Sequence, residues 1–332
     1  MQRNISGFLP PYLVTELARR NPSDTHHLQT LLETQKIWVH GRKVFFPLGS
    51  GQGDRTTYDA KNRTSLPGVR MRGEKDGPVA DEIVNRAHDY CGQVRDFYRE
   101  VHNRNSIDGN GMDLISTVHY GRRYNNAFWN GSQMTYGDGD GDIFSSFVLL
   151  DVVGHELTHG VTETTSGLEY YDQSGALNEH VSDVFGELIR QRSLKQTADK
   201  ADWLVGPGLF TAKVKGRALR DMLNPGTAYD DPRLGKDPQP GHMKDYVHTS
   251  SDNGGVHYNS GIPNKAFALF AVAAGGFAWE KAGQIWFQTR NRVSRTSSFQ
   301  EFANTSLQVA KAMFPETVGK LQQAWAAVGI SA

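Results

Sequence analysis

His155-Glu156-Leu157-Thr158-His159 is the stretch of this 332-residue chain with the most chemistry in it. On a helix, residues four apart share a face. His155 and His159 would therefore present two imidazoles to one metal ion, while Glu156 projects beside them toward a metal-bound water. Neutral imidazoles are good zinc ligands, and a zinc ion held by three protein groups keeps a fourth position for water. The third ligand comes twenty residues past His159. In Gly175-Ala176-Leu177-Asn178-Glu179-His180-Val181-Ser182-Asp183, followed by Val184 and Phe185, the apolar positions mark a second helix. Glu179 and Asp183, four apart, share one of its faces. A bare Glu-x-x-x-Asp pair is ordinarily a solvated face. Beside two metal-binding histidines it reads differently: Glu179 completes the ligand set, and Asp183 sits behind a ring nitrogen and orients a histidine.

The elements that must hold these groups follow from periodicity. From Asp151 onward the pattern is helical, over residues 152–161, 177–189, 265–274 and 299–314, the last opening with a capping-box pair, Ser298 and Glu301. Upstream, Ile83, Val84, Ala87, Tyr90, Cys91, Val94, Phe97, Tyr98 and Val101 recur at three- and four-residue spacing, an amphipathic helix whose buried face carries Cys91 as a small hydrophobe. Residues 116–120 read as a strand between Gly/Asn/Asp clusters. The first half is thus mixed α/β and the second helical. Residues 266–279 read as one buried helix, short of the ~20 residues that span a bilayer.

Composition narrows the partners. The 36 Lys+Arg balance the 36 Asp+Glu, so no net field draws the molecule to phosphate backbones or anionic lipid; neither a nucleic acid nor a membrane is expected as a partner. With 38% hydrophobic and 22% charged residues the chain lies far from the disordered corner and should fold. One cysteine excludes an intrachain disulfide. The N-terminus shows no apolar run of a secretory signal, so the expectation is a cytoplasmic precursor or export by a non-standard route. Residues 1–50 read as a module of their own, with Pro10-Pro11, a helical pattern at Leu28, Leu31 and Leu32, and an apolar Val44-Phe45-Phe46. Gly49-Ser50-Gly51-Gln52-Gly53 then reads as a flexible, cleavable linker.

From about Arg55 to its end the chain resembles the thermolysin-like zinc metallopeptidases. The motifs recur in order: Tyr124-Asn125-Asn126-Ala127-Phe128-Trp129-Asn130-Gly131, Tyr136-Gly137-Asp138-Gly139-Asp140-Gly141, the His-Glu-x-x-His helix, Asn178-Glu179, and Asp252-Asn253-Gly254-Gly255-Val256-His257. The resemblance implies an α+β, two-domain zincin fold, with a sheet-rich N-terminal domain at 51–170, a helical C-terminal domain at 171–332 and the zinc between them. It implies that Asn126 and Ala127 hold substrate backbone, that Tyr170 and His257 stabilise the oxyanion with Asp252 orienting His257, and that Arg220 binds a substrate carbonyl. Phe144, Val152, Val205, Leu209 and Leu219 match the pocket for the residue after the scissile bond; all are apolar, so Leu or Phe should be preferred there. Trp129 reads as wall rather than catalyst. Relatives also carry a double calcium site. Here Asp151 and Asp202 remain, but Arg190, Leu204 and Pro207 stand where acids are expected, and Arg217 replaces the acid of a second calcium loop, so zinc without calcium is implied. Pro10-Pro11-Tyr12-Leu13 is similar to the protealysin-like subgroup, which implies that residues 1–50 are a short propeptide inhibiting its own enzyme, with Pro11 and Tyr12 as the docking point.

The reading that follows is a precursor of a neutral endopeptidase acting on peptides, in which zinc and Glu156 activate water and Glu156 returns the proton to the leaving nitrogen. Two alternatives stay open at this level: a zinc aminopeptidase, for which no acidic anchor for a free amine is recognisable, and a noncatalytic zinc-stabilised binding protein. The latter explains His155, His159 and Glu179 but not Glu156, Tyr170, Arg220 and His257 together.

Overall fold

The computed structural model describes residues 7–22, 26–40 and 51–331. The apolar stretch Val44-Phe45-Phe46 and the first two linker residues, Gly49 and Ser50, lie outside them, as does the side chain of Leu31. Two helices precede the body of the molecule, α1 (Pro11–Arg20) and α2 (His26–His40). Then come β1 (Arg55–Asp59), β2 (Val69–Gly73), α3 (Glu82–His102), β3 (Leu114–Val118), β4 (Ala127–Trp129) and β5 (Met134–Tyr136). These five strands form one sheet in the order β2-β1-β3-β5-β4, parallel at β1/β3 and β3/β5 and antiparallel at both edges. The strand expected at residues 116–120 thus stops early. His119 takes φ 53, a left-handed conformation that ends the ladder. Its ring is clasped between Asp138, at 2.8 Å from Nδ1, and Asp81, at 3.0 Å from Nε2. Asp81 is also the N-cap of α3 and accepts from the Ile83 amide at 2.9 Å. The apolar stripe of α3 faces inward, with Cys91 buried on it as expected.

The second half is built from α4 (Leu150–Glu163), α5 (Asp172–Leu194), a short hairpin of β6 (Leu204–Val205) and β7 (Arg220–Asp221), and then α6 (Asp252–Asn259), α7 (Gly261–Ala274), α8 (Lys281–Arg290), α9 (Phe299–Met313) and α10 (Val318–Ala327). Helix α9 opens with the capping box of Ser298 and Glu301. The single helix expected over residues 266–279 is broken: α7 ends at Ala274, where Gly275 takes φ 78, and Phe277 stacks on Trp279 beyond the break. Helices α4 and α5 are buried nearly all round and lie against each other. They approach through glycine. A Cβ on Gly186 would stand 2.5 Å from the Asp151 carbonyl oxygen and 3.1 Å from the His155 nitrogen, and one on Gly154 would stand 2.9 Å from Gly186 Cα. One continuous apolar core runs through both halves, from Val84 and Val94 to Trp286 and Trp325.

The described part of the glycine-rich linker is not loose. Gly53 donates to the Gly111 carbonyl at 3.0 Å, and its own carbonyl accepts from Arg95 Nη1 at 3.0 Å. Residues 51–53 therefore begin the body of the molecule.

Candidate active site

The spacing of the histidines and the close contact of α4 with α5 converge on one buried cluster. His155 Nδ1 lies 2.8 Å from Asp183 Oδ1, and His159 Nδ1 lies 2.8 Å from Asn178 Oδ1. The amide nitrogen of Asn178 is already spent on the Leu168 carbonyl at 3.0 Å, so its oxygen must accept and the proton of His159 is on Nδ1. The two Nε2 atoms then face each other at 3.1 Å, and each stands 3.4 Å from an oxygen of Glu179. All three ligand atoms lie within 4.8 Å of one another. Two ring nitrogens this close, with a buried carboxylate oxygen, Glu179 Oε2, that has no hydrogen-bond partner among the described residues, fit a cation bound between them. Supplied by protein groups alone, the positive charge falls on His155. Burial lowers its pKa, but the hydrogen bond to Asp183 and the nearby Glu179 carboxylate outweigh this and hold it at about 9. Burial likewise pushes His159 down to about 4.

Glu156 projects beside this cluster. Its Oε2 accepts from the Trp129 backbone amide at 3.0 Å, while Oε1 is buried and has no hydrogen-bond partner among the described residues. Burial pushes its carboxyl up to about 8, against the opposing charge of His155. This is a carboxyl group fixed through one oxygen. Across the cleft, Asp252 accepts from both the backbone nitrogen of His257, at 2.9 Å, and its Nδ1, at 2.6 Å, which leaves Nε2 to point inward. The backbone that allows this is the left-handed run at the start of α6: Gly254 and Gly255 take φ 82 and 81, and a Cβ at Gly254 would stand 3.0 Å from the Asp172 nitrogen. Tyr170 donates its hydroxyl to Glu179 and stands 3.3 Å from His257 Nε2.

Asp183 does more than orient a histidine. It also accepts from Arg220 Nε at 2.8 Å and Nη2 at 2.6 Å, and from Asn264 Nδ2 at 2.8 Å. These neighbours, with Arg220 the strongest against the opposing effect of burial, hold its carboxyl well below the usual range. Arg220 keeps Nη1 without a hydrogen-bond partner among the described residues. The β6/β7 pairing sets Val205 opposite Arg220.

Residues 7–9 run through this cleft. Gly7 pairs antiparallel with Phe128, Phe8 N donates to the Ala127 carbonyl at 3.0 Å, and Leu9 N donates to Asn126 Oδ1 at 2.8 Å. The Gly7 carbonyl oxygen lies 3.3 Å from His257 Nε2. Phe8 is fully buried, edge-on to the His155 ring at 5.2 Å and under the Arg220 guanidinium at 4.8 Å. It shares one apolar cluster with Phe144, Val152, Val205, Leu209 and Leu219, and the Phe144 ring lies tilted against Phe147 and Phe210, 5.7 Å between centroids. The expected anchor at Pro11 and Tyr12 thus sits three to four residues late. Tyr12 packs on Tyr258, 4.1 Å between rings, and the residue that enters the pocket is Phe8. The apolar Phe8-Leu9 pair just before Pro10 was the available signal. Sequence reasoning also missed Asn178 and Ser182, whose Oγ lies 3.1 Å from His159 Nδ1, and the Trp129 amide that fixes Glu156.

At the expected calcium positions, Arg190 bonds Glu187 at 2.9 Å, Asp202, and the Leu204 carbonyl at 3.3 Å. Arg217 pairs with Asp221 at 2.6 Å.

Two family models match the chain: the thermolysin metallopeptidase catalytic domain over residues 30–163 and the thermolysin metallopeptidase alpha-helical domain over residues 166–330. An extracellular metalloprotease of Pectobacterium carotovorum subsp. carotovorum is 47% identical over 99% of this chain and 97% of its own length. A thermolysin of Alicyclobacillus acidocaldarius subsp. acidocaldarius is 42% identical over 82% of this chain and 50% of its own. Among solved structures, the precursor of protealysin, a metalloproteinase from Serratia proteamaculans, is 48% identical with a TM-score of 0.88, covering 98% of this chain and 100% of that one.

Proposed function

The chain belongs to the thermolysin family and is a metalloendopeptidase, and on that premise we propose that it is the precursor of a zinc enzyme that cuts on the N-terminal side of bulky hydrophobic residues. Family membership supersedes the aminopeptidase and binding-protein alternatives. The observation that carries the zinc reading is the pair of Nε2 atoms 3.1 Å apart, each with its Nδ1 proton committed elsewhere, facing the carboxylate of Glu179. His155, His159 and Glu179 would hold one zinc ion, which when bound supplies a Lewis acid and an acidified water.

The remaining work falls to side chains of this chain. Glu156, fixed through Oε2, takes the proton of the water on Oε1 and returns it to the departing nitrogen. His257, oriented by Asp252, donates from Nε2 to the carbonyl oxygen as it gains charge, and Tyr170 stands close enough to join it. Asn126 and Ala127 hold the substrate backbone as an added strand, and Arg220 Nη1 reaches the carbonyl after the scissile bond. Val152, Val205, Leu209 and Leu219, with Phe144 behind, take the bulky side chain. That Phe8 fills this space supports the preference and the reading of residues 1–50 as an inhibitory propeptide. The Arg190 guanidinium stands in for the family's calcium.

The test is hydrolysis of an N-terminally blocked peptide with Leu or Phe after the scissile bond, by enzyme that has lost its N-terminal segment. Turnover should fall to background with a zinc chelator and return with zinc. Chelator-resistant turnover, or preference for a small or charged residue at that position, would sink the reading.

A further inference from the structure

We propose that the chain is its own first substrate: the Gly7–Phe8 peptide bond lies in the cutting register of the cleft and is hydrolysed in place, before the rest of the N-terminal module departs. The inference rests on the endopeptidase reading above and adds a cleavage site to it.

Four contacts define the register. The Gly7 carbonyl oxygen faces His257 Nε2 at 3.3 Å, and the next amide, Phe8 N, donates to the Ala127 carbonyl at 3.0 Å. The amide after that, Leu9 N, is held by Asn126 Oδ1 at 2.8 Å, and the Phe8 side chain fills the apolar space beside His155. The bond bracketed by the oxyanion donor on one side and the carbonyl that receives the leaving amine on the other is Gly7–Phe8. A segment that only covered the cleft could run in either direction and at any offset. This one presents a carbonyl, an amide and a bulky apolar side chain in the order that a substrate must. Residue 7 also suits the place: a Cβ there would lie 2.7 Å from Asn126 Nδ2, so glycine leaves undisturbed the amide group that holds Leu9.

The step balances as a hydrolysis. The oxygen of water bonds to the Gly7 carbonyl carbon, the bond from that carbon to the Phe8 nitrogen breaks, and both protons of the water end on that nitrogen, the first carried by Glu156 as the bond breaks and the second passed by the same carboxylate from the new Gly7 carboxyl group. Gly7 leaves as a carboxylate and Phe8 becomes a free ammonium. The new terminus stays where it is. Helix α1 begins at Pro11 and is anchored by Leu13 and Leu17, both buried, and by Tyr12 on Tyr258. Phe8 and Leu9 therefore remain seated as tethered product, so this trimming does not by itself open the enzyme.

The decisive measurement is intact mass and N-terminal sequence of the full zinc-loaded chain against time. The expected result is loss of the seven residues Met1-Gln2-Arg3-Asn4-Ile5-Ser6-Gly7 and a new terminus at Phe8. The rate should be unchanged over a hundredfold range of protein concentration, and the bond should stay intact in Glu156→Gln and Phe8→Pro. A rate proportional to concentration, or a chain that sheds its N-terminal module with Gly7–Phe8 never cut, overturns the proposal. A second readout needs no turnover: in the metal-stripped chain the Phe8 and Leu9 amides should exchange hydrogen at least a hundredfold more slowly than in a free peptide, and exchange at the free rate also overturns it. The matured sample is assayed on a blocked Gly-Phe peptide. If that peptide is cut while Gly7–Phe8 never was, the inference fails and the endopeptidase reading stands; if the peptide is not cut either, the reading itself fails.

Discussion

Asp183 collects its four hydrogen-bond donors in a place with no solvent, from His155, Arg220 and Asn264. It couples His155 to Arg220, the proposed metal ligand to the proposed substrate-binding group, and its removal strands a buried guanidinium. Asp183→Ala should cost about 3–5 kcal/mol of stability, the usual consequence of leaving a buried charge without its partner. It should also lower zinc affinity by roughly 10–100-fold, because His155 loses the group that orients it. Thermal unfolding with and without saturating zinc separates the two effects; a variant that binds zinc normally would contradict the role. Much at this scale was legible. Residue type and spacing alone put His155, His159, Glu179 and Asp183 together, because helical periodicity converts sequence intervals into faces. Asn178, Ser182 and Asn264 were not assigned, since a neutral amide or hydroxyl becomes a histidine or carboxylate partner only through contacts that no local interval encodes. The Trp129 donor is backbone and carries no residue-type signal at all.

The contact between α4 and α5 is set by Gly154 and Gly186, and the proposed metal ligands His155, His159 and Glu179 hang on the two helices it joins. Gly186→Ala should force the helices apart, at a cost of about 1–3 kcal/mol for overpacking. It should weaken zinc binding even though residue 186 touches no ligand side chain. Equilibrium zinc titration checks this, and unchanged affinity would show that the helices absorb the methyl group. The His119 clasp makes a pH-dependent prediction. Its carboxylate partners, Asp138 foremost and then Asp81, outweigh burial and raise the ring to about 9, against about 6.5 in an unfolded chain. A group whose pKa rises on folding stabilises fully below the unfolded value and loses that contribution as pH climbs through the folded one. His119→Gln should therefore destabilise most below pH ~6.5 and progressively less as pH rises through about 9, by chemical denaturation across that range. A cost independent of pH would mean that the clasp works by shape alone. Helices α3, α4 and α9 were legible as apolar patterns, α9 with its capping box as well. The early end of β3 was not, because it turns on the positive φ of one residue, His119, between Val118 and Tyr120; the end of α7 was legible in the pattern over 265–274, whereas reading one helix on to residue 279 passed over Gly275 and Gly276, both with positive φ.

Across the whole molecule, Arg190 joins α5 to the loop that leads into β6, through Glu187 and Asp202. Burial pushes Glu187 up to about 8, with Arg190 opposing. A calcium chelator that spares zinc should leave the melting temperature within about one degree, since no ion is needed where a tethered cation stands. A calcium-dependent rise of several degrees would refute this. The N-terminal segment also spans the molecule, touching Asn126 and Ala127 on one wall and His257 and Arg220 on the other. Phe8→Ala empties the pocket and, at the ~3–5 kcal/mol of a buried Phe→Ala change, should loosen the segment far more than Tyr12→Ala does. Peptidase activity should then appear well before any N-terminal residues are lost, followed by a blocked-peptide assay alongside gel analysis. Equal effects of the two variants would return the anchor to Tyr12.

Because Phe8 sits in the pocket that would choose the substrate, lock and key are written in one gene. On the proposed reading, a substitution that reshapes the space around Leu219 or Val205 would alter at once which peptides are cut and how firmly the nascent enzyme is restrained. Specificity therefore cannot drift alone: a variant with a new taste and an unchanged residue 8 would lose its safety catch, and inheritance must move the two positions together.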